Sequence, residues 1–180
     1  MPIELYGKFI LQEKQGISRK VEFNTPEFTF ESVGEYTQIK SDESGYTTEA
    51  GFPELPLYTM LYHVDPFINY DINLTIISSY QVHDVQIYPS QNEINNLDQP
   101  SLIKNTLFYN SKERYPTENI WISNRQVMRG EEFITFSVTP FIYYPENNIL
   151  EVFVCYLKAT GFTVTEGSQL HFLDEGSFPD

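Results

Sequence analysis

Ile149-Leu150-Glu151-Val152-Phe153-Val154-Cys155-Tyr156-Leu157 decides the fold. The run is apolar at odd and even positions alike, which marks a strand covered on both faces, at the centre of a sheet. Ahead of it, Asn147-Asn148 reads as a tight turn with Pro145-Glu146 leading in. Before that turn, Ile134, Phe136 and Val138 alternate with Thr135, Ser137 and Thr139. The pattern predicts a hairpin of Glu132–Tyr144 with Ile149–Thr160.

The same period of two recurs outward from this hairpin, and a helical period almost never does. Phe28 and Phe30 alternate with Glu27, Thr29 and Glu31; Ile72, Leu74 and Ile76 with Asp71, Asn73 and Thr75. Val85 and Ile87, Ile120 and Ile122, and Phe162 and Val164 read as further strands. Each has one face for a core and one for water. The expectation is an all-β chain, an antiparallel β-sandwich. Ser41–Pro56 reads as a loop or edge segment. Ser90–Pro116 reads as one long polar loop with room for a short helix around Leu102–Tyr109. A connection that long inside a compact domain is uncommon and often functional. The core is expected over about residues 28–165 of one domain spanning 1–180, with 166–180 a tail or linker.

Composition narrows the function classes. Hydrophobic residues make up 41% of the 180, enough for a folded core, and aromatics 16%, which suits pleated sheets. Eleven Lys+Arg against 25 Asp+Glu leave a net charge of −14. Such a field repels nucleic acid and favours basic partners. No apolar run approaches the length of a membrane span, so no membrane insertion is expected. The N-terminus lacks a basic region followed by an apolar stretch, so no signal peptide is legible.

No catalytic constellation emerges. His63, His83 and His171 stand apart with no metal-ligand spacing. Cys155 is the one cysteine, which excludes an intrachain disulfide, and its place in mid-strand reads as a small buried hydrophobe rather than a nucleophile. Phosphate-cradling glycine motifs are absent. Asp42, Glu43 and Glu49 do not have calcium-loop spacing and read as a solvated acidic loop. Neither metal nor cofactor is expected. Asn73-Leu74-Thr75 fits a glycosylation triplet on an outward face.

Several punctuating motifs follow one another in order. Gly51-Phe52-Pro53-Glu54-Leu55-Pro56 comes first, then Tyr88-Pro89-Ser90 and the long loop, then Arg129-Gly130, Pro140-Phe141 and Tyr143-Tyr144-Pro145. Gly51 permits a positive φ, Pro53 and Pro56 suit an edge, and Pro140 inside a strand-like run suggests an edge or bulge. This ordered set, over about Phe28–Thr165, resembles the N-terminal pro-domains of gingipain-type (C25 family) cysteine peptidases. In that family Gly51, Pro53, Leu55, Pro56, Pro89, Arg129, Gly130, Pro140, Tyr144 and Pro145 would be structural.

The resemblance implies a jelly-roll-like sandwich that packs on a caspase-like catalytic domain, keeps it latent and assists its folding. It implies a loop, here about residues 90–116, placed at the active-site cleft. It also implies a cysteine peptidase domain, downstream or cognate, as partner, and no enzymatic activity in this chain itself. The isolated chain would be monomeric, and secreted, periplasmic or at the cell surface, with any signal peptide outside this sequence. Gingipain pro-domains present Arg or Lys shortly after the position of Pro89-Ser90. Here Gln91–Pro100 carries no basic residue, and Asn95, Asn96 and Asp98 stand in its place. If this loop inhibits, its partner prefers Asn or Asp. The alternative is a non-catalytic extracellular module binding carbohydrate or protein, with Trp121 and the tyrosines as stacking platforms.

Overall fold

A computed structural model describes residues 9–12, 18–23, 25–42, 44–65, 68–91 and 102–163. The strands among them are β1 (Phe9–Gln12), β2 (Ser18–Phe23), β3 (Thr29–Val33), β4 (Tyr36–Lys40), β5 (Gly45–Tyr46), β6 (Pro56–Val64), β7 (Ile68–Val82), β8 (Ile120–Ile122), β9 (Gln126–Met128), β10 (Glu131–Val138), β11 (Phe141–Tyr144) and β12 (Ile149–Thr163). A helix α1 (Thr106–Tyr109) and a 3₁₀ turn (Pro145–Asn147) complete them.

Strand β12 is the spine. It runs antiparallel to β7 from Leu150 opposite Val82 to Thr163 opposite Ile68. Its other edge is shared: β11 takes Ile149–Val152 and β2 takes Leu157–Thr160. Leu150 and Val152 are buried on one side of β12 and Phe153, Cys155, Leu157 and Ala159 on the other, while Val154 is 38% exposed, so the buried side changes partway along the strand; its central place in the sheet is the one its apolar run predicts. Beside β2 lies β1.

The second sheet runs β5-β6-β10, with β8 and β9 sharing the far edge of β10. Strand β6 alternates strictly: Tyr58, Met60, Tyr62 and Val64 are buried while Thr59, Leu61 and His63 are exposed. Across the ladder, Tyr58 meets Val138, Met60 meets Phe136 and Tyr62 meets Ile134. These side chains pack against the first sheet. Phe23 and Tyr58 bring ring centroids within 5.5 Å, and Tyr62 and Tyr70 within 5.4 Å. The result is the antiparallel β-sandwich expected from the alternation, with β3 and β4 as a separate hairpin. Its core extends N-terminal to residue 28, since Phe23 is fully buried.

Two strand assignments differ from the sequence expectation. Glu132–Tyr144 is not one arm of a hairpin. Strand β10 ends at Val138 in the second sheet, and the chain crosses at Thr139-Pro140 into the first sheet, where only Phe141–Tyr144 pairs with β12. Pro140 has no N–H to continue the β10 ladder, and its carbonyl accepts from Phe153 N at 2.8 Å. Asn119 holds the corner, accepting from Thr139 N through its carbonyl and donating from its side chain to Thr139 O. Val85–Ser90 is likewise no ladder strand but an extended segment with single bridges at Ile87 and Pro89. Arg129 (φ 53) and Gly130 (φ 84) form the two-residue turn from β9 to β10, and two positive φ values fit a type I′ hairpin.

Thr139 at the corner is fully buried and, among the described residues, its hydroxyl has no hydrogen-bond partner. An unmet buried hydroxyl costs free energy that an isosteric methyl does not. Thr139→Val should therefore raise stability by about 1 kcal/mol in urea unfolding; a clear loss would show that the hydroxyl is satisfied.

Candidate functional site

The candidate site is the base of the long loop, built around Gly51–Glu54. This segment leaves β5 through Thr47, which is buried and fully bonded. Its hydroxyl donates to Pro53 O at 2.8 Å and accepts from Leu55 N at 3.0 Å. Pro53 and Pro89 form an antiparallel bridge. Around it, Gly51 N donates to Ser90 O, Ser90 N to Phe52 O and Glu54 N to Tyr88 O, all within 2.8 Å. The outgoing leg of the loop is thereby tied to Gly51–Glu54. On its other edge the same leg pairs with β4: Thr37 N donates to Gln86 O and Tyr88 N to Thr37 O.

The returning leg meets the same glycine. Asn105 N donates to Gly51 O at 3.0 Å. Gly51 has φ 79, and a Cβ there would lie 2.8 Å from Asn105 N and 3.3 Å from the Lys104 carbonyl carbon. Only glycine permits both this conformation and this approach. Between the legs, the Gln91 side chain makes a neck. Its Nε2 donates to Ile103 O at 2.9 Å and its Oε1 accepts from Ile103 N at 2.8 Å. Nε2 also donates to Pro89 O. One amide thus closes a chain separation of 12 positions.

Asn105 then caps α1, accepting from Phe108 N through Oδ1 at 3.0 Å. The helix is a single turn, within the stretch where the sequence left room for one. Its Phe108 packs on Phe52 (5.1 Å) and Tyr115 (6.0 Å). The Tyr109 hydroxyl donates to Ile87 O at 2.8 Å, which ties the returning leg to the outgoing one a third time. Burial raises the pKa of the Tyr109 phenol and pushes that of Tyr143 up to about 12, so both remain donors at neutral pH. The leg ends at Tyr115, which exchanges two backbone hydrogen bonds with Tyr143 of β11.

Of the motif residues, Gly51, Pro53, Leu55, Pro56 and Pro89 lie at this base. Leu55 is fully buried, and Pro56 begins β6. Pro140 is at the sheet-crossing corner. The Tyr144 hydroxyl donates to Glu151 Oε2 on β12, and Pro145 opens the 3₁₀ turn that returns the chain to that strand. Arg129 and Gly130 serve the separate β9–β10 turn. Asn95, Asn96 and Asp98 lie outside the described residues.

Basic residues on the returning leg are engaged with the body of the protein. Lys104 Nζ sits 5.2 Å from the Tyr36 ring centroid and 4.9 Å from that of Tyr109, a double cation–π contact. Lys112 pairs with Glu146 at 3.2 Å, and Arg114 donates to Thr117 O. Lys104 is thus a strut of the loop base, a role its sequence position did not signal.

The described residues bring no catalytic set together. Cys155 faces the core, where burial pushes its thiol up to about 11, far from the thiolate a nucleophile needs. His63 is exposed and 2.8 Å from Glu131; His83 is exposed, and His171 and Glu43 lie outside the described residues. No group of three metal-ligating side chains occurs among the described residues, and no helix among them is long and apolar enough to cross a membrane.

The profile of the Propeptide_C25 family matches residues 9–163. Two solved structures from Porphyromonas gingivalis share the fold. One is the complex of RgpB pro- and mature domains, with TM-score 0.71, 21% identity, and 88% of this chain and 85% of that chain covered. The other concerns zymogenic latency of gingipain K, with TM-score 0.73, 15% identity, and 91% and 98% covered. Among curated proteins, nothing matches the chain.

Gly51→Ala should lower stability by at least about 2 kcal/mol, combining the positive φ with the clash against the returning leg. Gly34→Ala, also at positive φ (62) but with open space around its Cβ, should cost about 1 kcal/mol. Equal losses in denaturant unfolding would show that the close approach at Gly51 is relaxed.

Proposed function

As the chain belongs to the C25 propeptide family, over residues 9–163, we propose that it is a pro-domain that keeps a caspase-like cysteine peptidase latent and assists its folding. It packs on the catalytic domain and holds its long loop at the active-site cleft. The family match carries the reading. The loop base supports it: a segment that must sit in a cleft without adapting to a substrate's path gains from legs fixed at Gly51, Gln91 and Tyr109. Fixing the ends in advance removes part of the ordering cost on binding. The burial of Cys155 agrees with a regulatory rather than a catalytic part. The reading implies a secreted, periplasmic or cell-surface location.

Within this function, Asn95, Asn96 and Asp98 are the inhibitory candidates, and the partner's specificity pocket takes Asn or Asp. A pocket that accepts Asp carries basic groups, which suits the −14 charge of the chain.

The test is inhibition of the cognate catalytic domain by the wild-type chain and by Asn95→Ala, Asn96→Ala and Asp98→Ala. The wild-type chain should inhibit, and at least one substitution should weaken the inhibition constant by about tenfold or more, roughly 1.4 kcal/mol. Uniform constants would mean steric cover rather than insertion. No inhibition by the wild-type chain would overturn the pro-domain reading.

A further inference from the structure

Leu57 and Trp121 break the alternation rule on the second sheet. Leu57 points away from the core beside Tyr58, and Trp121 lies opposite Ser137 on the same outward face, 39% exposed. They floor a groove of about 490 Å³ whose walls include Phe52, Phe108 and Tyr115. Its rim carries Glu49, Glu113 and Arg114. We propose that this groove is the seat of the peptidase domain on the chain, and that it receives an apolar side chain flanked by a lysine or arginine of that domain. The proposal rests on the pro-domain reading above.

Three observations choose this occupant. Phe52 belongs to the segment that ties down the outgoing leg, and Phe108 to the helix on the returning leg. Whatever fills the groove is therefore held beside the base of the loop, as suits a body that receives that loop. The volume suits one or two side chains, and a half-exposed tryptophan on an apolar floor has the character of an interface anchor. The rim favours a cation. Glu49 and Glu113 have no ion pair among the described residues. The one rim cation, Arg114, already gives its guanidinium to Thr117 O. Two carboxylates against one guanidinium leave the rim net negative beside an apolar floor, which attracts a basic residue and disfavours a second copy of this acidic chain.

Binding of the chain to its cognate catalytic domain, measured by calorimetry, tests this. The variants are Trp121→Ala, the double variant Glu49→Lys with Glu113→Lys, and Ile77→Ala on the first sheet as control, each checked by thermal unfolding. Both groove variants should weaken Kd by about tenfold or more, the control should leave it unchanged, and wild-type affinity should fall as salt rises. Groove variants that bind as tightly as wild type, while the wild-type chain binds and inhibits, overturn the groove but not the pro-domain function. A wild-type chain that neither binds nor inhibits overturns the function itself. A dimer in sedimentation that Trp121→Ala dissolves would make the groove a self-interface and overturn the proposal. If Trp121→Ala unfolds, the double charge reversal on the exposed rim decides alone.

Discussion

Gly51 gives its N–H to one leg of the long loop and its carbonyl to the other. Everything that makes the loop a defined object follows from that pair of hydrogen bonds. Because both legs converge on one residue, the Gln91 amide can bridge them, Asn105 can cap α1, and Phe108 can reach Phe52. The absence of a Cβ is what allows the convergence, since any side chain would meet the Asn105 nitrogen. Gly51 is in turn fixed by the sandwich: Thr47 bonds both Pro53 and Leu55, and Leu55 is fully buried.

The physical logic of the fold serves this base. A spine strand paired along both edges, β12, sets the first sheet, and its ladder with β7 runs from Leu150 to Thr163 with one register shift at Val154/Cys155. The crossing at Pro140 brings β11 next to β12, so that Tyr143 can receive Tyr115 at the end of the returning leg. The loop is thus tied to the second sheet's approach segment at one end and to the first sheet at the other. A loop held this way has lost much of its closure entropy before it meets a partner. That is the property a latency-maintaining segment needs, because a freely moving chain in a peptidase cleft is a substrate.

Much of the sandwich was legible in the sequence. The apolar run of β12 marked it as a central strand of its sheet, and the double-Asn turn was correctly placed before β12. Alternation says which face of a strand is wet, but not which sheet the strand joins; hence Glu132–Tyr144 read as one strand although Pro140 divides it between sheets. Val85 and Ile87 alternate because one side is buried, without a ladder. The motif at Gly51–Pro56 was visible, but its pairing with both loop legs was not, since long-range backbone hydrogen bonds leave no mark on composition. The neck at Gln91 and the strut at Lys104 were invisible for the same reason. The groove at Leu57 and Trp121 could have been suspected only from apolar residues at positions the alternation assigns to solvent.

The most direct measurement replaces residues 92–101 with a two-glycine link across the Gln91–Ile103 neck and compares inhibition of the cognate catalytic domain with that of the intact chain. With the loop as the inhibitory element, the shortened chain should fold and still bind the domain but inhibit about a hundredfold less, a difference of roughly 2.7 kcal/mol. Undiminished inhibition by the shortened chain would contradict it, and would leave the sandwich itself as the barrier.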